Sequence, residues 1–91
     1  EAKKIGLALI KKRLVACCII FPIESTYWWK GKIVNNREVI LIVKTLKRNF
    51  QKVEKEVKKL HSYKVPCILE IPIDQSNPEY LNWLNKEIKK T

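Results

Sequence analysis

Glycine is scarce in this sequence, with only Gly6 and Gly31 among 91 residues. A loop that cradles phosphate with backbone N–H groups needs several glycines at short spacing, so no such loop is encoded. No motif of serine, histidine and acid for nucleophilic catalysis can be read either, and the single aspartate, Asp74, follows the end of the predicted strand at 67–73. We therefore predict that the chain is not an enzyme.

Long apolar runs are also missing. The longest one covers residues 14–21, whereas a transmembrane helix needs about 20 apolar residues. No basic head, apolar middle and small-residue cleavage site can be read as a secretory signal. We expect no membrane association and a cytoplasmic location, or an organelle if a targeting segment precedes Glu1.

Cysteine is present in an odd number, three. Cys17 and Cys18 are adjacent on a predicted strand, where successive side chains point to opposite faces. This arrangement argues against a disulfide framework and favours a reducing compartment.

Positive charge is abundant, and the formal net charge is +10. Such a field would attract a small anion or an acidic protein. The alternative is that the lysines simply solvate the surface, because they are spread from Lys3 to Lys90 without a basic block. Nucleic-acid binding is not expected, since the strand predicted at 38–45 has no aromatic residue on which a base could stack.

Apolar periodicity predicts the elements of the first half. Residues 1–16 form an amphipathic helix, and residues 17–23 are apolar on both faces, as in a central strand. Residues 26–34 and 38–46 then flank Asn35 and Asn36, which tolerate positive φ, so we predict a β-hairpin that turns at these two residues.

The second half contains two more helices and a strand. Asn49 can cap a helix that ends near His61. The apolar stretch "CILEIPI" at 67–73 predicts a strand, and Asn77 followed by Pro78 is typical of the start of a last helix.

The resulting order, α-β-β-α-β-α, becomes a ferredoxin-like α+β fold with an antiparallel sheet and a C-terminal helix if one strand is placed before it. We expect a single domain over residues 1–91, incomplete at its N-terminus. The absent strand would be central, so it would come from residues preceding Glu1 or from another chain. The hairpin would also be longer than the helix that covers it, and its aromatic-rich edge would need a neighbouring subunit.

Four stretches of this sequence form a recognisable series: "RLVACCIIFPIESTYWWKGKI", "EVILIVKT", "LHSYKVPCILEIPI" and "NPEYLNWL". In order and spacing they resemble the CutA family of divalent-cation tolerance proteins. The similarity covers residues 5–84, and no single motif carries it.

The resemblance implies a ferredoxin-like subunit that forms a tight homotrimer, with the long hairpin strands paired between subunits, similar to the PII signalling trimers. It also implies a role in tolerance to copper and other divalent cations, metal binding in some members, and no established enzymatic reaction.

The family's motif positions can be transferred to this sequence residue by residue. Lys64 and Cys67 stand where acidic residues are usual, and Ile19 stands where asparagine is common. The matching positions are Cys17, Tyr27, Trp29, Gly31, Lys44, Thr45, His61, Tyr63, Val65, Pro66, Tyr80, Leu81 and Trp83.

The candidate metal donors are Cys17, His61 and Cys67. A thiolate and an imidazole suit copper or zinc, and the soft sulfur favours Cu(I). Cys17 can equally be a small buried apolar residue, and His61 can be a helix C-terminal residue favoured by the helix dipole. A closed structural zinc site is not expected, because Cys17 and Cys18 cannot converge on one ion.

A second set of residues is a candidate subunit interface or ligand pocket. Interface packing, with Gly31 allowing close backbone approach or a bulge, is the alternative to a pocket. The set consists of Tyr27, Trp29, Gly31, Lys44, Tyr63 and Trp83. If it is not a metal protein, the chain would be a trimeric scaffold or PII-like signalling module that binds a protein or a small anion.

Overall fold

The computed structural model describes residues 1–62 and 66–89. It is a small α+β arrangement with one two-stranded antiparallel sheet among these residues, and its longest dimension is 46 Å. None of the helices in this part of the chain is long and apolar enough to cross a membrane. The elements are α1 (Ala2–Lys11), β1 (Cys17–Trp29), β2 (Lys32–Lys44), a 3₁₀ turn (Lys47–Asn49), α2 (Phe50–Leu60) and α3 (Pro78–Glu87).

The first helix ends earlier than the apolar pattern predicts. Arg13 adopts a positive φ of 57° just after the C-cap residue Lys12. The Leu14 N–H then donates to the Leu9 carbonyl at 3.1 Å, and the Arg13 N–H donates to the Ile10 carbonyl at 2.9 Å. These two bonds form a Schellman motif, which is usually built on glycine. Because arginine occupies the position that usually holds glycine, the sequence does not indicate that the helix ends here.

The structure contains the predicted hairpin, but the prediction that it turns at Asn35 and Asn36 is wrong. The two strands pair from Cys17 opposite Lys44 to Trp29 opposite Lys32, and Asn35 lies inside the ladder opposite Thr26. Residues 17–29 are therefore one continuous strand and not two.

The turn consists of Lys30 and Gly31 alone. Their φ angles are 50° and 78°, as a two-residue type I′ turn requires. A Cβ built on Gly31 would meet nothing within 4 Å. Gly31 is thus needed within the subunit for its backbone angle, and it lies in the turn and not in a bulge of the ladder. Close approach of a neighbouring subunit's backbone at Gly31 stays a prediction.

One face of the hairpin is packed against helices near its base. Leu41 and Val43 of β2 lie against a buried cluster from α1, α2 and the loop before β1. On the same face, a Cβ built on Gly6 would lie 2.9 Å from the Cys18 Sγ atom, so the α1 backbone lies directly on β1. The buried cluster is Ile5, Leu9, Val15 and Val53.

The second helix begins where the sequence predicts, but Asn49 does not cap it with its side chain. The Asn49 amide instead donates to the Leu14 carbonyl at 3.0 Å and to the Thr45 hydroxyl at 3.3 Å. Asn49 is buried, so these bonds satisfy its amide inside the fold and tie the start of α2 to the end of α1.

The strand predicted at 67–73 is not formed. Residues 66–77 are neither helix nor strand, and Leu69, Ile71 and Ile73 are 76–80% exposed. A strand exists only when another backbone hydrogen-bonds to it, and no strand lies beside this segment among the described residues. Its alternating apolar side chains therefore remain uncovered.

Replacing Gly31 by valine tests the position of the turn. A β-branched residue at φ 78° is strained, so we expect Gly31→Val to lower the free energy of unfolding by about 1–2 kcal/mol. Urea denaturation measures this change.

Asn35→Thr is the matched control, because a β-branched residue suits a strand and the change should stay within about 0.5 kcal/mol. A larger loss in the free energy of unfolding for Asn35→Thr than for Gly31→Val would indicate that the chain turns at Asn35 and Asn36.

Candidate functional site

Cys17 lies at the base of the hairpin, on the sheet face that α1 and α2 leave uncovered. Its ladder partner is Lys44, and the Lys44 ammonium lies 5.0 Å from the centre of the Tyr80 ring in α3. Hydrogen bonding to Tyr80, followed by charge interaction with that phenol and then with Cys17, raises the pKa of Lys44. Lys44 therefore stays cationic next to the thiol.

Tyr80 extends this group to Trp83. The two ring centres lie 5.4 Å apart with planes inclined by 43°, a geometry typical of attractive aromatic pairs. Cys17, Lys44, Tyr80 and Trp83 thus form a continuous cluster that connects the sheet to α3. Tyr80 was part of the motif match but not of the predicted site, although the close spacing of Tyr80 and Trp83 in α3 indicates that they can pair.

His61 lies elsewhere, at the C-cap of α2, where its N–H donates to the Val57 carbonyl at 2.8 Å. Its Nδ1 atom is 3.7 Å from the Glu1 Oε2 atom. Hydrogen bonding to Ser62 is the main cause of a lowered pKa of Glu1, and His61 adds to it. A carboxylate beside the imidazole is a usual feature of metal-binding histidines, but it equally suits a helix end.

The three predicted metal donors are not brought together as a group. Cys67 is exposed in the segment that follows α2, and Cys18 points to the helix-covered face. Within residues 1–62 and 66–89, no three His, Cys, Asp or Glu side chains lie close enough to hold one metal ion. A single subunit therefore does not assemble a three-donor site from its described residues.

The predicted interface residues of the hairpin lie at its far end. Tyr27 is half-buried and its hydroxyl accepts a hydrogen bond from the Asn36 amide at 2.9 Å. Trp29 is exposed, with the Lys30 ammonium 5.8 Å from its ring, and Gly31 makes the turn. Tyr63 lies outside the described residues.

Four large apolar side chains on the face opposite α1 and α2 form an exposed patch that was not predicted from the sequence. Ile19 pairs with Ile42, and Phe21 pairs with Ile40. All four are 36–42% exposed. We call this patch the open sheet face. Alternation along residues 17–23 could have revealed it, but both faces of that strand are apolar, so the pattern alone does not say which face is covered.

A family model matches this chain. The model for "CutA1 divalent ion tolerance protein" matches residues 1–87. The "Divalent-cation tolerance protein CutA" of Archaeoglobus fulgidus is 45% identical over 89 residues, which cover 98% of this chain and 87% of that protein.

Solved structures resemble this chain in fold as well as in sequence. The crystal structure of CutA1 from Pyrococcus horikoshii superposes with a TM-score of 0.94 at 39% identity, covering 98% of this chain and 87% of that one. The "PII-like protein CutA" from Nostoc gives a TM-score of 0.89 at 28% identity over 96% of this chain and 86% of that one. From the family match and these identities, we conclude that the chain belongs to the CutA1 family of divalent ion tolerance proteins.

Proposed function

We propose that this protein acts in tolerance to divalent cations, copper among them, as a homotrimer that catalyses no reaction. Each subunit would be one ferredoxin-like domain over residues 1–91. The open sheet face is the main observation in favour of the assembly. Membership of the CutA1 family supports the role in tolerance.

The open sheet face supports association because it is apolar and contiguous. Ile19, Phe21, Ile40 and Ile42 are neighbours along and across the ladder, so they form one patch and not scattered exposed residues. Contiguous apolar patches of this kind mark contact surfaces. A second copy of the sheet can cover this patch without changing the fold of the subunit.

The length of the hairpin supports the same conclusion. Thirteen residues in each strand reach about 43 Å at 3.3 Å per residue, whereas the eleven residues of α2 span only about 17 Å. The far half of the hairpin, with Trp28 and Ile33 exposed on the helix side, extends beyond its own helices. Neighbouring subunits in a closed ring would supply the missing cover.

The segment at 67–73 fits the proposed ferredoxin-like subunit as a strand that still needs a neighbour. Leu69, Ile71 and Ile73 alternate as a sheet face would require. Pairing with a strand from another segment or another subunit would bury them, and their present exposure identifies them as available for it.

Cys17, His61 and Cys67 remain the proposed donors for a metal ion. Cys17 lies opposite the cationic Lys44, which opposes cation binding, and the three donors do not form a group in one subunit. A site with three donors would therefore need ligands from more than one subunit, and a copper ion would then be cargo of the assembly.

A second candidate function is a trimeric, PII-like signalling or protein-binding scaffold with no physiological metal site. The separation of the donors within the described residues favours this alternative, and a structural relative is described as PII-like. Metal titration distinguishes the two functions.

A cytoplasmic location is also a proposal. The relative from Archaeoglobus fulgidus is described as periplasmic, and a relative from Oryza sativa is described as chloroplastic. The cellular compartment thus differs among related proteins of this fold.

Charging the open sheet face should dissociate the proposed assembly. In Phe21→Glu a carboxylate would be buried against apolar side chains of the neighbour, which costs several kcal/mol. Sedimentation velocity should show the subunit mass of 10.8 kDa for this variant.

Leu7→Glu is the matched control, since Leu7 is an exposed apolar residue of α1 away from the open sheet face. It should keep the oligomeric mass. An unchanged mass for Phe21→Glu would place the contact surface elsewhere.

Calorimetric titration of the reduced protein with Cu(I) and with Cu(II) tests the metal donors. We expect Cys17→Ser and His61→Ala each to weaken binding about tenfold, as loss of one of a few metal-ligand contacts does. Cys18→Ser is the matched control because that thiol points to the other sheet face. Equal affinities in all four proteins would remove both donors and favour the scaffold function.

A further inference from the structure

A basic concavity lies away from the predicted metal donors and the open sheet face. It has a volume of about 460 Å³ and opens where the end of α1, the side of α2 and the residues after α3 meet. This basic concavity is lined by Lys11, Lys12, Arg13, Leu14, Lys52 and Lys89.

Backbone and side-chain contacts hold the two sides of the basic concavity together. The Lys89 N–H donates to the Arg13 carbonyl at 2.8 Å. The Arg13 Nη1 atom donates to the Glu87 carbonyl and to the Glu87 carboxylate, both at 3.1 Å. The Lys12 ammonium donates to the Glu56 carboxylate of α2 at 2.8 Å, and this bond is the main cause of the lowered pKa of Glu56. These contacts join the end of α1 to α2 and to the residues after α3.

The basic concavity keeps an excess of positive charge after these contacts. Five cations line it, and Glu56 and Glu87 pair with Lys12 and Arg13. Lys11 is the last residue of α1, and Lys89 follows α3. Within residues 1–62 and 66–89, the ammonium groups of Lys11 and Lys89 make no ion pair or hydrogen bond.

The residues that line the basic concavity indicate which class of ligand it can bind. Because its cations come from three separate stretches of the chain, a ligand with several negative charges can contact more of them than a singly charged anion can. Phosphate oxygens accept charge-assisted hydrogen bonds from ammonium and guanidinium groups. Leu14 is the one apolar residue of the lining and no aromatic residue is among those that form it, so a nucleobase would find no ring on which to stack.

We propose that the basic concavity is a binding site for an oligophosphate group, either free or carried by a nucleotide, with Lys11 and Lys89 as its main unpaired contacts. The site gives the scaffold function a definite ligand class. It uses none of the predicted metal donors and does not depend on the trimer.

The test is calorimetric titration of the full chain in metal-free buffer, with tripolyphosphate in one arm and ATP in the other. The test variant is Lys11→Gln/Lys89→Gln. The matched control is Lys3→Gln/Lys4→Gln, which removes the same charge from exposed positions at the start of the same helix, outside the lining.

We expect the wild type and the control to bind tripolyphosphate equally, and the test variant to bind it about tenfold more weakly because two charge-assisted contacts are lost. Equal binding of ATP and tripolyphosphate identifies the phosphate chain alone as the ligand. Tighter binding of ATP, weakened by the same variant, identifies a nucleotide as the source.

Absence of binding of both compounds to the wild type would overturn the proposal, and so would an equal loss in the test and control variants. Cys17→Ser and His61→Ala should keep wild-type affinity for tripolyphosphate. Failure of the metal function and failure of this site are therefore distinguishable.

Discussion

The antiparallel ladder between β1 and β2 is the constraint on which the rest of the structure depends. Its register, from Cys17 opposite Lys44 to Trp29 opposite Lys32, decides which side chains face α1 and α2 and which face outward. Because strand side chains alternate strictly, a slip of one residue would exchange the two faces. In the observed register Leu41 and Val43 complete the helix-covered core, and the open sheet face stays uncovered within the subunit. We propose that other copies of the chain cover it.

The sequence predicts the parts of this fold that depend on local signals. Asn77 and Pro78 begin the last helix, and α2 lies between Asn49 and His61, as the sequence predicts. The turn was misplaced because Asn35 and Asn36 carry an intrinsic preference for positive φ, whereas Lys30 reaches such an angle only because Gly31 follows it in a two-residue turn. The strand at 67–73 could not be decided from its own residues, since apolar alternation describes a strand only where a partner backbone exists.

Like the fold, the candidate sites could be predicted from the sequence only in part. Motif resemblance identified Cys17, Lys44 and Trp83, and the structure places them in one cluster through Tyr80. Cys17, His61 and Cys67 were also named as donors, and these three do not form a metal-binding group within the described residues. The sequence did not predict the basic concavity, because its lysines come from three distant stretches and each one looks like a solvated surface residue. The contact of Lys12 with Glu56 and the contacts of Arg13 with Glu87 and Lys89 bring those stretches together.

We propose that further copies of this chain cover the open sheet face. Native mass spectrometry of the unmodified protein tests it most directly, because it counts subunits without any variant. We expect a dominant species of about three times the 10.8 kDa subunit mass that persists on dilution, as closed ring symmetry would give. A dominant species at the mass of one subunit over the same concentrations would contradict the account.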